Sequence, residues 1–444
     1  MTSSGKTSLA VPEQWELEFP NAPDLLPSPK RTPRRASTAL KLPWESNYAA
    51  FSPEFALAAV KNLNARTRAI VFDPFVGSGT SLEAAVTAGM DCYGIELNPY
   101  SALLSRCRVI SDVDTRVVHD LLSRASKTRR KASSIASETI PAESKVIIEA
   151  LQQLLAKRIG CRCQDLVSTL CMQADARYAS ETVALVAALH TLKKRAQVHY
   201  RSNPAWLLLG ASPDGLESTA ESWRSAALNI ANAIENALLA RPQHICPPTV
   251  QVFSGAFQNS PLKPHSISRF ITSPPYLNRL DYVNPTLPEL HGLGLFQDDS
   301  MEELRRQMMG TTKMRRLSPS KTELPSSAIA KLLGEIASHP TKASGTYYLK
   351  FFRQYFADLF NFLEWLNIRS TADCRGILVL QDSYYKDIKI PIVQIIVELA
   401  KAAGFVVSVI NEESRSRHMG SISPHQRTHA PTKSLTEYTL LFQR

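Results

Sequence analysis

Two short segments carry residue types that together could hold a nucleoside and an amine. The first is Asp73-Pro74-Phe75-Val76-Gly77-Ser78-Gly79-Thr80. Gly77 and Gly79 allow backbone to approach a ligand with no side chain in the way. A helix opening at Thr80 would add free N–H groups and the positive end of its dipole. The Asp73 carboxylate can accept from a ligand amine, and Glu96, about twenty residues on, can accept both hydroxyls of a ribose. Leu82 occupies the third glycine position of a dinucleotide fingerprint, which argues against a nicotinamide cofactor, and no lysine follows the glycines, so this is not a phosphate loop. A ribose-bearing ligand with no pyrophosphate at the turn fits best. The second segment is Thr272-Ser273-Pro274-Pro275-Tyr276. Two consecutive prolines fix φ and remove two backbone donors, leaving carbonyls as outward acceptors. Ser273 adds an oxygen and Tyr276 a stacking face, a set suited to a planar base with an exocyclic NH2. Taken alone, a GxG is equally a tight turn, and SPPY equally a stiff turn with a core tyrosine. Their joint occurrence at two strand ends points to a site.

The elements that must position these segments are legible from the apolar pattern. Residues 69–75 (AIVFDPF) and 91–97 (DCYGIEL) read as buried strands flanking a glycine turn and a helix from about Thr80 to Ala88. Ser52 before Pro53 reads as an N-cap, with Pro53 at the first position of a helix running to about Leu63. Strand character returns at 249–253, 268–272 and 376–382, and again in FVVSVI and EYTLLF. Helices are expected at about 347–366 and over PIVQIIVELAKAAG, and the stretch 284–345 reads as loop-rich. The order implies a doubly wound, mostly parallel α/β sheet with ligands outside the carboxyl ends of its strands. Residues 111–247 are rich in Ala, Leu, Lys, Arg and Glu at helical spacing and read as a helical insertion. Residues 1–40, with Lys30, Arg31, Arg34 and Arg35 among prolines, read as a flexible basic arm.

Together the two motifs resemble those of the S-adenosylmethionine-dependent amino-methyltransferases of DNA. In that family DPFxGSGT binds the methyl donor and (D/N/S)-PP-(Y/F) holds the target amine. The resemblance covers residues 41–110 and 248–444 and implies a Rossmann-like methyltransferase domain. It assigns Ser273, Pro274, Pro275 and Tyr276 to the target amine, and Asp73, Pro74, Phe75, Gly77, Ser78, Gly79 and Thr80 to the cofactor. Phe51-Ser52-Pro53 resembles the helix start that touches the methionine part, and Glu96-Leu97-Asn98-Pro99 the segment that holds the ribose. The serine form of the proline motif is typical of N4-cytosine enzymes. The resemblance thus implies site-specific methylation of cytosine N4 in double-stranded DNA, in a restriction-modification or defence setting alongside a cognate endonuclease or other defence proteins. N6-adenine methylation, amine methylation of tRNA and a DNA-binding protein without catalysis remain open alternatives. The loop Ser254-Gly255-Ala256 lacks the acidic residue that often grips the adenine, so Phe75 and Phe257 are expected there instead.

Composition is compatible with this. The 444 residues include 51 Lys and Arg against 40 Asp and Glu, a formal net charge of +11 that favours a polyanionic partner. Three basic stretches, 124–131, 305–321 and 415–433, are candidate phosphate or base contacts; 111–247 or 284–345 would recognise the target, with Arg279, Asp281 and Tyr282 near the base. Seven cysteines with no completed zinc pattern, and no signal peptide, read as reduced thiols of a cytoplasmic protein. His418, His425 and His429 read as a surface loop and not a metal site. No stretch reaches the roughly 18 apolar residues of a spanning helix.

Overall fold

The structure is a computed structural model. It describes residues 26–29, 42–46, 51–63, 69–128, 141–173, 176–196, 198–200, 207–209, 219–242, 244–278, 280–295, 298–311, 313, 324–415 and 434–444. The expected basic arm (apart from 26–29), Arg279, the three histidines and much of each basic stretch lie outside them.

In chain order the elements begin with α1 (Pro53–Asn62), β1 (Val71–Asp73), α2 (Thr80–Thr87), β2 (Cys92–Glu96) and α3 (Pro99–Val109). Between β2 and the next sheet strand come α4 (Thr115–Ser126), α5 (Ala142–Ile159), α6 (Leu166–Met172), α7 (Ala179–Arg195), a small hairpin of β3 (Val198–Tyr200) and β4 (Leu207–Leu209), and α8 (Ala220–Leu239). Then follow β5 (Val250–Ser254), β6 (Ile267–Thr272), α9 (Leu287–Gly292), α10 (Asp298–Gln307), α11 (Ser327–Ser338), α12 (Leu349–Arg369) and β7 (Ser370–Gln381). A short hairpin, β8 (Tyr384–Tyr385) and β9 (Ile388–Lys389), precedes α13 (Ile392–Ala402), β10 (Val406–Arg415) and β11 (Leu435–Gln443).

The fold is the expected α/β sheet. Seven strands lie in the order β10-β11-β7-β6-β1-β2-β5. Pairs among β5, β2, β1, β6 and β7 are parallel, and β11 is antiparallel to both β7 and β10. The chain leaves β1 towards β2 and β5, then returns to β6 on the other side of β1. The strand order therefore reverses between β1 and β6, the place where such sheets open a crevice at their carboxyl ends.

Side chains alternate between two cores, as a strand period of two requires. Val71, Cys92 and Ile271 face a core shared with α1, α2, α3 and the helices between β2 and β5, whereas Phe72, Tyr93 and Phe270 face one shared with α11, α12 and α13. Helix α7 is buried along its length, from Ala179 to Leu192. Local sequence accounts for the entry to α1: the Ser52 hydroxyl accepts from the Phe55 N–H at 3.1 Å and Pro53 takes the first position.

Three features differ from the sequence reading. The loop-rich stretch contains α9, α10 and α11. Prolines at 285 and 288 and the charged run of α10 (DDSMEELRRQ) obscured the first two, while α11 packs an apolar stripe of Ala328, Ile329, Leu332 and Ile336. Strand β7 starts six residues early, because its first half, with Thr371, Ala372 and Asp373 at the surface, lacks an apolar run. The hairpin β3–β4 interrupts the otherwise helical stretch. Among the described residues no helix is long and apolar enough to cross a membrane.

Candidate active site

The two motifs meet at the reversal of strand order. β1 and β6 are hydrogen-bonded neighbours, with Phe72 opposite Phe270, so Asp73 and Thr272 end adjacent strands. The Thr272 hydroxyl donates to Asp73 Oδ1 at 2.7 Å and the Ser81 hydroxyl to Oδ2 at 2.5 Å, while the Phe75 N–H donates to Oδ1 at 3.0 Å. Asp73 is 2% exposed, and burial raises its pKa to about 6 against the pull of these three donors. Its carboxylate ties the glycine turn, the start of α2 and the end of β6 together.

Glu96 closes the other side of the turn. Its Oε2 accepts from the Gly77 N–H and its Oε1 from the Asn98 N–H, each at 2.9 Å. Burial raises its pKa to about 7. The Leu97 N–H also favours its ionised form. The Asn98 side chain is spent on structure: Oδ1 caps α3 at Tyr100 and Ser101, and Nδ2 donates to Thr286 Oγ1 at 2.8 Å. Thr80 likewise accepts from Arg108 at 2.8 Å, and Arg108 pairs with Glu83 at 2.6 Å. The Ser78 hydroxyl is buried and meets no partner among the described residues.

The two glycines have different surroundings. Gly77 has φ +53° and the space where a Cβ would stand holds nothing closer than the Phe75 carbonyl at 4.0 Å. Gly79 has φ +84°, and a Cβ there would lie 2.9 Å from Ser105 Cα of α3. Pro74 is buried between Asp73 and Phe75. Phe51 packs on Phe55 with centroids 5.3 Å apart, and Ser52 is drawn to the segment 26–29 by its hydroxyl, which donates to the Ser28 carbonyl at 2.9 Å.

A cleft of about 340 Å3 opens at the carboxyl ends of β2 and β5. Leu97, Pro99, Ser254 and Gly255 line its inner side, and Met301, Leu304 and Gln307 of α10 its outer side. Phe75 and Phe257 are not among its walls. They meet edge to face at 6.3 Å and both pack on Phe362 of α12. The apolar surface of the cleft comes from Leu97, Leu295, Met301 and Leu304, and the sequence reading did not foresee α10.

In the proline loop, the Pro275 carbonyl accepts from the Tyr355 hydroxyl at 3.0 Å. Among the described residues no donor is bonded to the Pro274 carbonyl. The Tyr276 N–H donates to the Tyr282 hydroxyl at 3.3 Å, and its own hydroxyl donates to Glu437 Oε1 at 3.0 Å. Burial and the Glu437 charge hold the Tyr276 phenol well above its ordinary pKa, so it stays protonated. Ser273 is half-buried. Tyr355 and Glu437 were not singled out from the sequence. The signal for Glu437 was a lone acid in the apolar strand LTEYTLLF.

Asp281 pairs with Arg305 at 3.0 Å. Arg305 also reaches Glu302, and Lys313 pairs with Glu302 at 2.8 Å. The described cations of that stretch are thus matched by nearby acids, as Arg124 is by Asp120 at 3.3 Å. Among the described residues no group of three or more His, Cys, Asp or Glu side chains is arranged to hold a metal. No protein-family model matches the chain, and no curated protein matches it.

Proposed function

We propose that the chain is an S-adenosylmethionine-dependent methyltransferase acting on the N4 amine of cytosine in double-stranded DNA. In this reading it works in the cytoplasm with a nuclease or other defence proteins as partners. One observation carries the proposal: at the reversal of strand order, the bond from Thr272 to Asp73 sets the glycine turn beside a proline loop whose Pro274 carbonyl has no donor among the described residues.

The residues present fit the cofactor. Gly77 leaves open space in front of the turn, the Glu96 carboxylate stands at its edge, and the buried Ser78 hydroxyl has no partner among the described residues. The neighbouring cleft of about 340 Å3 falls in the size range of small-molecule sites. When bound, the cofactor supplies an electrophilic methyl group on sulfur.

The protein's part is to bind and aim the amine. A base turned out of the duplex, at a cost of a few kcal/mol, would lie on the Tyr276 ring. Tyr276 is held through its backbone N–H by Tyr282 and through its phenol by Glu437. The amine donates one hydrogen to Ser273 Oγ and the other to the Pro274 carbonyl. Two such bonds draw the nitrogen towards sp3 geometry and turn its lone pair out of the ring plane. Alignment of this kind supplies much of the acceleration in a direct displacement. No thiol is required: the Cys92, Cys107 and Cys171 side chains are buried, and burial raises their pKa values.

Transfer of tritiated methyl groups to DNA with cytosine-only targets, DNA with adenine-only targets and tRNA tests this reading. Label is expected in the first, recovered as N4-methylcytosine after digestion to nucleosides. Label confined to adenine or tRNA moves the reading to another amine; no label in any substrate removes it.

A further inference from the structure

We infer that Thr286 is a positioning residue that ties the proline loop to the cofactor cleft, so that filling the cleft stiffens the loop. The inference rests on the proposed function and adds the side chain that joins its two halves.

The link begins at Asn98, which is 1% exposed. Its N–H donates to Glu96 Oε1 at 2.9 Å. Its Oδ1 accepts from the Tyr100 and Ser101 N–H groups at the start of α3, which settles which end of the amide is which. The Nδ2 group then donates to Thr286 Oγ1 at 2.8 Å, across 188 residues of chain. Thr286 Oγ1 therefore accepts from Asn98, and its single proton goes to the Val283 carbonyl at 2.9 Å. The Val283 and Asn284 N–H groups close on Asp281 Oδ1 at 2.9 and 3.2 Å. Between Asp281 and Val283 stands Tyr282, whose hydroxyl accepts from the Tyr276 N–H at 3.3 Å. Each bond has a definite donor and acceptor, and with the chain between them they lead from Glu96 to Tyr276.

Two further contacts keep the turn 281–286 from giving way. Lys193 of α7, paired with the fully buried Glu289 at 3.0 Å, donates to the Pro285 carbonyl at 2.6 Å. Arg305 of α10 pairs with Asp281 Oδ2 at 3.0 Å and donates to Asn284 Oδ1 at 3.2 Å. Helix α10 is also the outer wall of the cleft, while Leu97 and Pro99, on either side of Asn98, belong to its inner wall. The turn is thus attached to both walls. A ligand that holds the walls at a fixed spacing fixes the turn, and with it Tyr282 and the backbone of Tyr276. Without the Thr286 hydroxyl the inner attachment is lost.

Hydrogen exchange followed by mass spectrometry on the full chain, with and without saturating S-adenosylhomocysteine, tests the link. In wild type the ligand should slow exchange in peptides spanning 276–286 by at least about fivefold, the lower end of ordinary coupling between sites. Thr286→Val, saturated in the same way, should show slowing of less than about twofold. Thr286→Ser, which keeps the hydroxyl, should restore it, and Thr286→Ala carries the test if the valine variant does not fold by circular dichroism. Exchange that speeds up equally with and without ligand would mark the hydroxyl as merely structural and overturn the inference. So would the absence of ligand-dependent slowing in wild type, or slowing that survives loss of the hydroxyl; either leaves the functional reading standing. The methyl-transfer assay run beside it separates the two ideas. Slowing that depends on the Thr286 hydroxyl, with no transfer to any substrate, sinks the enzymatic reading and upholds the link. Failure of wild type to bind S-adenosylhomocysteine in calorimetry removes both.

Discussion

The turn after β1 and the loop after β6 lie side by side and are built by opposite rules. In the turn, carboxylates gather donors: the buried Asp73 accepts three hydrogen bonds, and the half-buried Glu96 accepts from the Gly77 and Asn98 N–H groups. In the loop, prolines remove donors, and tyrosines hold the backbone while the Pro274 carbonyl meets no donor among the described residues. The first arrangement makes a rigid seat. The second holds a reactive edge in place without occupying it. The difference teaches that a site can be preorganised either by satisfying its polar groups or by withholding partners from them.

The contrast can be broken at several points. Gly79→Ala should have the largest effect on stability, about 3 kcal/mol, summing a left-handed φ with overpacking against the α3 backbone. Urea unfolding measures it, and a loss under about 1 kcal/mol would mean the seat is not rigid. Ser273→Ala should lower turnover about a hundredfold and leave cofactor affinity within about twofold. Single-turnover kinetics with a separate binding titration would distinguish this from a loss of binding. Gly77→Ala should cost only about 1 kcal/mol of stability, because its Cβ enters open space. It should weaken cofactor affinity by more than the stability loss suggests; equal losses would assign the glycine to the fold alone.

The smallest expected effect is on pH dependence. The Glu96 pKa is raised from 4.5 to about 7 in the fold. Its contribution to stability is therefore fully present below about pH 4.5 and lost as pH rises through about 7. Ligand hydroxyls favour the carboxylate, so affinity for S-adenosylhomocysteine should rise several-fold between about pH 6 and 8. Glu96→Gln should flatten both trends in calorimetry; a slope that survives the substitution would point to another group.

The sequence made the sheet legible wherever a buried strand carried an unbroken apolar run, as in residues 71–73, 92–96 and 267–272. It failed where burial and composition part company. β10 continues for five residues past its apolar start through Asn411, Glu412, Glu413, Ser414 and Arg415, since an edge strand needs only one partner. The motif residues were legible because glycine and proline act on the backbone and leave a mark in any sequence. The contacts that hold them were not. Glu437, Tyr355 and Arg305 reach the site from 161, 80 and 24 residues away. Apart from Glu437, a lone acid in an apolar strand, nothing local in their segments distinguishes a supporting side chain from an ordinary helix residue.

The reversed strand β11 has a further consequence. β10 joins the sheet only through β11, so the two form the margin of the sheet and would fray as one cooperative unit. Glu437 belongs to that unit, and any excursion that unzips the margin also lets go of the Tyr276 phenol. A base seated on Tyr276 would fasten the margin in return, by the same mass action through which any ligand favours the state that binds it. Under the proposed function, the grip on the base and the cohesion of the sheet's border would be one linked equilibrium.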